Sequence, residues 1–269
     1  MAVSVRQSIR LLELLAAEPN GLRLTDLAGA TAANPGSILR LLRTLQEEGY
    51  TSWDAVSDRW RATLRLGALG LIQLSAVGAE HWGNQRLEEL ARATNESAVL
   101  AMSAGTGLVW IGYAQGSKAV LIVLPRIGTD VLLHATAVGK AYLATYPDDR
   151  ALALLEERGM AARTVTTITD STTLLEQLAE VRRLGYAVVT EEMEMGVNAI
   201  AAPIRSLDDP KGPGVGAVSV AGPAARLGRP QLEAFVPALL ETAQALAVEW
   251  PALRAVLPPI DGRSREPAL

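Results

Sequence analysis

The chain has no cysteine and only two histidines, His81 and His134, among its 269 residues. Without thiols there is neither a disulfide framework nor a thiolate metal site, and two histidines are too few for an imidazole centre. No metal and no cofactor is therefore expected. Unbroken apolar runs of ~18 residues, the length a helix needs to cross a bilayer, are also missing. The opening stretch MAVSVRQSIRLLELLAAEPNG interrupts its apolar residues with Gln7, Arg10 and Glu13 and has no leader-type cleavage site. A soluble cytoplasmic protein is the expectation. Neither a G-x-S-x-G nucleophile elbow nor an internal repeat is found, so no catalytic residue is assigned.

What is present suits two domains of ordinary size, with 49% apolar residues to fill their cores. The net charge of −4 argues against a protein that coats nucleic acid non-specifically. The charge is uneven, however. Residues 1–65 hold 8 Lys+Arg against 7 Asp+Glu, and the remainder holds 17 against 22, so a near-neutral module precedes an acidic body.

In that module Val5, Ile9, Leu12 and Leu15 recur at helical spacing until Pro19-Asn20-Gly21. Thr25 is expected to cap a short helix, TDLAGATA, with Asp26 in its first turn. Asn34-Pro35 then reads as an N-cap followed by the first helical position. The helix PGSILRLLRTLQEEG places Ile38, Leu41, Leu42 and Leu45 on one face and ends at Gly49. YTSW and DRWRAT, joined by a polar turn at 54–57, read as a hairpin. Three helices and a hairpin within ~60 residues follow the order of a winged helix-turn-helix. The exposed face of the third helix would carry Gly36, Ser37, Arg40, Arg43 and Thr44. Arg59 and Arg61 alternate with Trp60 and would clamp phosphate or minor groove. A solvated amphipathic helix with no partner is the plainer alternative.

Residues 64–80 predict a mostly apolar connecting helix, with leucines at 66, 69 and 74, and WGNQRLEELARATN a second helix. SAVLAMS, GLVWIGYAQ and AVLIVL then read as strands. Helices follow from about 135, near 148–158 and over 171–184, then strands YAVVTEE, AIAAPIRS and VGAVSVAG. A last helix is expected from Pro230, at its first position, to Trp250. Interleaved strands and helices of this kind suggest an α+β domain with a mixed sheet. The proline-rich segment after Pro251 reads as a disordered tail. The expected divisions are 1–65, 66–81, 82–250 and 251–269.

The segment HATAVGKAYLA, 134–144, holds a histidine and one of three lysines among small residues. It is not a phosphate loop, because His134 and Ala141 stand where a glycine and a hydroxyl residue are required. Lys140 is expected to face outward or to bond structurally, and His134 to pack the start of a helix. The adjacent Glu191 and Glu192, read as strand neighbours, would point to opposite faces and could not address one atom together.

Three segments carry a resemblance to the IclR family of bacterial transcriptional regulators. They are VRQSIRLLELLAAEPNGLRLTDLAGATAANPGSILRLLRTLQEEGY, then GTDVLLHATAVGKAYLA, and RRLGYAVVTEEMEMGVNAIAAPIRS followed by VGAVSVAGPAARL. The resemblance implies a winged-helix domain, a helical linker and a GAF-like effector domain, acting as dimers or tetramers on double-stranded operator DNA. It implies no membrane partner and no enzymatic activity. It also implies a small-molecule effector site, with Ala137 and Val138 at a helix start and Val189, Ala199, Ser219 and Ala221 on strands. Val120, Val123, Val131 and Val197 would form its apolar wall. Only Ser219 keeps a side-chain hydroxyl there, so an apolar or aromatic effector is expected, its one polar end held by Ser219 and the helix start. Where the family usually enters its recognition helix with Lys-Ser-Thr, this chain has Pro35-Gly36-Ser37, and a common His is Leu39. Two rivals stand beside this reading. One is a hydrolase or lyase using His134, Glu191 and Glu192; the other is a sensor whose N-terminus binds protein.

Overall fold

The computed structural model describes residues 2–76, 82–104, 107–116, 124–156 and 158–249. They fall into two compact units, divided between Glu80 and His81. Among the described residues no helix is long and apolar enough to cross a membrane.

The first unit runs α1 (Ala2–Ala17), α2 (Leu24–Thr31), α3 (Pro35–Glu47), β1 (Thr51–Asp54), β2 (Arg59–Ala62) and α4 (Leu64–Ala76). Thr25 is not the cap of α2. Arg23 holds that position, and its N–H donates to the Asp26 carboxylate at 3.2 Å, because an acidic side chain at the third helical position reaches back over the first turn. Asn34 caps α3 as its sequence implies, with its Oδ1 accepting from Gly36 N–H at 2.8 Å. Gly49, at φ +81°, ends the helix in the left-handed conformation that costs glycine least. Leu11, Leu15, Leu27, Ile38, Leu42 and Trp60 are sealed into one core, with Leu41 and Leu45 packed at its margin. Trp60 and Leu22 exchange backbone hydrogen bonds of 2.8 and 2.9 Å, so the hairpin gains a third short partner. Along α4, Leu64, Leu69, Leu71 and Ile72 are exposed. Residues 77–80 and the side chain of Leu74 lie outside the described residues.

Among the described residues the second unit is built on a five-stranded sheet in the order β4-β3-β7-β6-β5. Its strands are β3 (Ser97–Ala104), β4 (Gly107–Gln115), β5 (Ala187–Thr190), β6 (Val197–Arg205) and β7 (Gly214–Pro223). Every described pairing is antiparallel, which corrects the expectation of a mixed sheet. Neighbours joined by short turns must run antiparallel. The long connection from β4 to β5 carries three helices among its described residues and delivers β5 to the far edge, where it again runs against β6. The expected strand AVLIVL lies, apart from Leu124, outside the described residues.

One face of the sheet, presenting Leu100, Val218, Val220 and Ile200, packs against α5 (Asn84–Thr94) and α10 (Val236–Glu249). The other face, presenting Ala101, Val189, Ala201 and Ala217, is covered by α6 (Ala137–Leu143), with α7 (Asp148–Glu156) and α8 (Ser171–Leu184) outside it. The expected final helix is broken at Phe235 into α9 (Arg229–Ala234) and α10. Pro237 has no N–H to return to the Glu233 carbonyl, so an uninterrupted ladder is impossible there. Pro230 takes the second helical position rather than the first, and Trp250 with the tail lies outside the described residues.

Candidate functional site

On α3, burial of Ile38 and Leu42 turns the opposite stripe outward: Gly36, Arg40, Arg43 and Thr44 are exposed and Ser37 half-exposed. Arg40 Nη2 donates to Ser37 Oγ at 3.4 Å, and Thr44 Oγ1 donates to the Arg40 carbonyl at 3.2 Å. Neither Arg40 nor Arg43 has a carboxylate partner among the described residues. The hairpin arginines differ. Arg59 Nη1 donates to the Gly21 carbonyl at 2.6 Å, holding the wing to the α1–α2 turn. Arg61 lies 3.3 Å from Asp54, whose carboxyl is held below its usual range mainly by Ser57 and the Val56 and Ser57 amides, with Arg61 adding little. Thr25 is exposed in the first turn of α2, off the α3 stripe. Thus the structure gathers five of the eight residues expected at DNA onto one face of α3 and commits the two hairpin arginines to bonds within the unit.

In the second unit the segment 134–144 is buried throughout. Thr136 caps α6: its hydroxyl accepts from Gly139 N–H at 3.1 Å and donates to the Leu132 carbonyl at 2.8 Å. A Cβ on Gly139 would stand 2.3 Å from the Leu133 carbonyl oxygen, so only glycine lets the helix start fold back this closely. His134 Nε2 lies 3.0 Å from the Ala161 carbonyl, a packing role. Lys140 does not face outward. It is 1% exposed, and its Nζ donates to both Glu192 carboxylate oxygens at 2.6 and 2.7 Å and to Gln177 Oε1 at 2.6 Å. Burial draws its ammonium below the ordinary value, and Glu192 opposes that pull.

Glu191 and Glu192 are not strand neighbours, because β5 ends at Thr190 and Glu191 turns at φ +55°. Glu191 Oε1 accepts from Gly196 N–H at 2.7 Å, closing the turn. The hydroxyls of Thr164 and Thr167 hold the Glu191 and Glu192 carbonyls from outside at 2.7 and 2.6 Å. Sequence reading missed Gln177 and this threonine clamp. The signal for the ion pair lay in the small residues around Lys140: Ala137, Gly139, Ala141 and Ala144 make a helix apolar on all sides. A cation at its centre must meet a buried carboxylate.

Of the expected effector residues, Val131, Ala137, Val138 and Val189 belong to one buried cluster with Ala199 at its edge. The strand register sets Val189 beside Ala199, Ala199 beside Ala221 and Ala201 beside Ser219, a contiguous layer under α6. Ser219 is 3% exposed on the central strand, and Val197 and Ala199 are half-buried towards one end. Val120 and Val123 lie outside the described residues. Two surface concavities lie elsewhere: one between α5 and β4, lined by Glu88, Arg92 and Tyr113, the other between α1 and the start of α4, lined by Leu15, Leu64 and Leu66.

Residues 4–55 match the IclR helix-turn-helix domain, and residues 74–248 match the C-terminal domain of bacterial transcriptional regulators of the IclR type. The chain is 30% identical over 241 residues to the HTH-type transcriptional regulator BhcR of Paracoccus denitrificans, covering 90% of this chain and 85% of that one. It superposes on the IclR transcriptional regulator of Alicyclobacillus acidocaldarius with a TM-score of 0.80 at 27% identity, over 91% of this chain and 97% of the other. The inducer-binding domain of PobR from Acinetobacter, solved as a double mutant with 3-hydroxybenzoic acid, covers 61% of this chain and 94% of its own at 28% identity, with a TM-score of 0.54. The carboxylates and histidine that an enzyme would need are spent on structural bonds, and the relatives are regulators. A helix-turn-helix unit with an outward arginine stripe, followed by an effector domain, makes this chain a transcriptional regulator of the IclR family.

Proposed function

We propose that this regulator represses a catabolic operon by gripping double-stranded operator DNA through α3, and that an aromatic or otherwise rather apolar metabolite releases it. The observation that carries the DNA half is the pair Arg40 and Arg43, exposed on one face and without a carboxylate partner among the described residues. Repressors among the relatives, including AllR and YiaJ of Escherichia coli, support the sign of the response. For the effector, the layer under α6 offers valine and alanine side chains with the Ser219 hydroxyl as its polar group, so a ligand rich in polar atoms would leave several unpaired at a cost of a few kcal/mol. The PobR domain's 3-hydroxybenzoic acid supports an aromatic acid of that kind.

Residues 1–65 serve as the DNA module, 66–81 as linker, 82–250 as effector domain and 251–269 as tail, in a cytoplasmic homodimer or tetramer. The apolar side chains that α4 exposes, Leu64, Leu69, Leu71 and Ile72, are a surface that self-association would cover. An effector changes DNA affinity only by distinguishing two arrangements of the assembly, and α4 is placed in the chain to be the element that differs.

The test is a gel shift on the DNA flanking the protein's own gene. Arg43→Ala is expected to weaken operator binding by ~1–3 kcal/mol. An unchanged midpoint would remove α3 from the DNA-reading role. Binding should fall steeply with salt, as phosphate contacts require, whereas a protein-binding N-terminus would retain no duplex at any ionic strength. Hydroxybenzoates should release the complex at lower concentration than glyoxylate or pyruvate, and the reverse order would refute the apolar site.

A further inference from the structure

The DNA module has no lysine. The chain's three stand at 118, 140 and 211, so all eight cations of residues 1–65 are arginines. Arginine differs from lysine in presenting a flat fork of donors, which matches two acceptors at once. On the wing, two of the eight have partners within the unit, Arg59 at the Gly21 carbonyl and Arg61 beside Asp54. The structure also removes the start of α3 as a phosphate anchor. Pro35 has no N–H, Gly36 N–H is taken by Asn34 Oδ1, and those of Ser37 and Ile38 are taken by the Asn34 carbonyl at 2.9 and 3.1 Å. Thr44 has spent its hydroxyl on the Arg40 carbonyl.

What remains on the outward stripe is Arg40 and Arg43, with Gly36 ahead of them carrying no side chain and Glu47 and Glu48 behind. The missing side chain lets the first turn come close to a groove floor, while the two carboxylates keep the last turn away from phosphates. Three residues along a helix advance it ~4.5 Å, between one and two base-pair steps of ~3.4 Å. Two guanidiniums so spaced, one braced by Ser37, can each meet the O6 and N7 of a guanine in the major groove.

We infer that Arg40 and Arg43 are the specificity-determining residues of this regulator, each reading one guanine of a closely spaced pair in the operator half-site. The inference rests on the reading of α3 as the DNA-contacting helix and goes beyond it to the bases read.

The experiment is selection of binding duplexes from a randomised pool by the full-length protein, followed by titration of the selected site and its G·C→A·T variants. The wild type is expected to select two guanines within one or two steps of each other, and to lose about ten- to a hundredfold in affinity when either is changed to adenine. Arg40→Ala should become indifferent to one of the two positions and Arg43→Ala to the other. Both side chains are exposed, and an unchanged unfolding midpoint confirms that each variant folds. If selected duplexes lack the guanine pair, or if both variants discriminate as the wild type does, the inference is overturned while α3 remains a DNA-binding helix through phosphates. If the wild type enriches no duplex, the inference falls together with the reading it rests on.

Discussion

Replacing Glu192 by Gln would leave the Lys140 ammonium buried at 1% exposure without its counter-charge. At a separation near 2.7 Å and an effective dielectric of about 20, the gross attraction between the pair is about 6 kcal/mol. Desolvation of two ions, several kcal/mol each, offsets most of that, so the pair adds little net stability. Removing one partner is different, because the desolvation of the other is then uncompensated; the expected loss is about 3–5 kcal/mol. Against a typical domain stability of about 5–15 kcal/mol this brings the second unit close to unfolding. Lys140→Met should cost a similar amount by stranding the carboxylate.

The double variant Lys140→Met with Glu192→Leu removes both charges. It should lie within about 1–2 kcal/mol of the wild type, since Gln177 is half-buried and can turn to water. Urea unfolding followed by far-UV circular dichroism reads all four proteins. With a slope of about 2–3 kcal/mol per molar urea, each single change should move the midpoint of the second unit down by about 1–2 M. The decisive quantity is non-additivity. If the double variant loses as much as the two single losses together, Lys140 and Glu192 act independently and the buried-pair argument is wrong.

Three further outcomes follow from the same geometry. Gly139→Ala would press its Cβ to 2.3 Å from the Leu133 carbonyl oxygen, so α6 must shift; a loss of several kcal/mol is expected in urea unfolding, and a loss under ~1 kcal/mol would show that the helix start has room. Asn34→Ala removes the cap of α3 and should lower the stability of the first unit by ~1 kcal/mol, measured by thermal unfolding, with DNA affinity falling in step. Burial lowers the Lys140 pKa in the fold below its unfolded value near 10.5, so between the two the unfolded chain binds more protons and stability rises with pH. A wild-type alkaline slope identical to that of Lys140→Met would contradict it.

The helices of the first unit could be read from local signals because each is set by neighbours in the chain. Asn34-Pro35 starts α3, Gly49 stops it, and the spacing of Ile38 and Leu42 decides which face is buried. The capping of α2 is not legible in the sequence because Thr25 and Asp26 both carry capping chemistry, and only the backbone path decides which is in reach. In the second unit the strands were visible as short apolar runs between glycines. Their pairing was not, since an apolar run looks the same whether its neighbour is parallel or antiparallel. The break at Phe235 was implicit in Pro237, whose missing donor is a local fact.

What the sequence determined by itself is the order of elements in the first unit and the outward arginine stripe, because helical periodicity links residues only three and four apart. What tertiary structure alone decided is which charges are free. Arg59 and Gly21 are 38 positions apart and Lys140 and Glu192 are 52 apart, and no local pattern announces either bond. A charge is committed or available according to what the fold brings within about 3 Å of it, and that distance is set by packing of the whole unit.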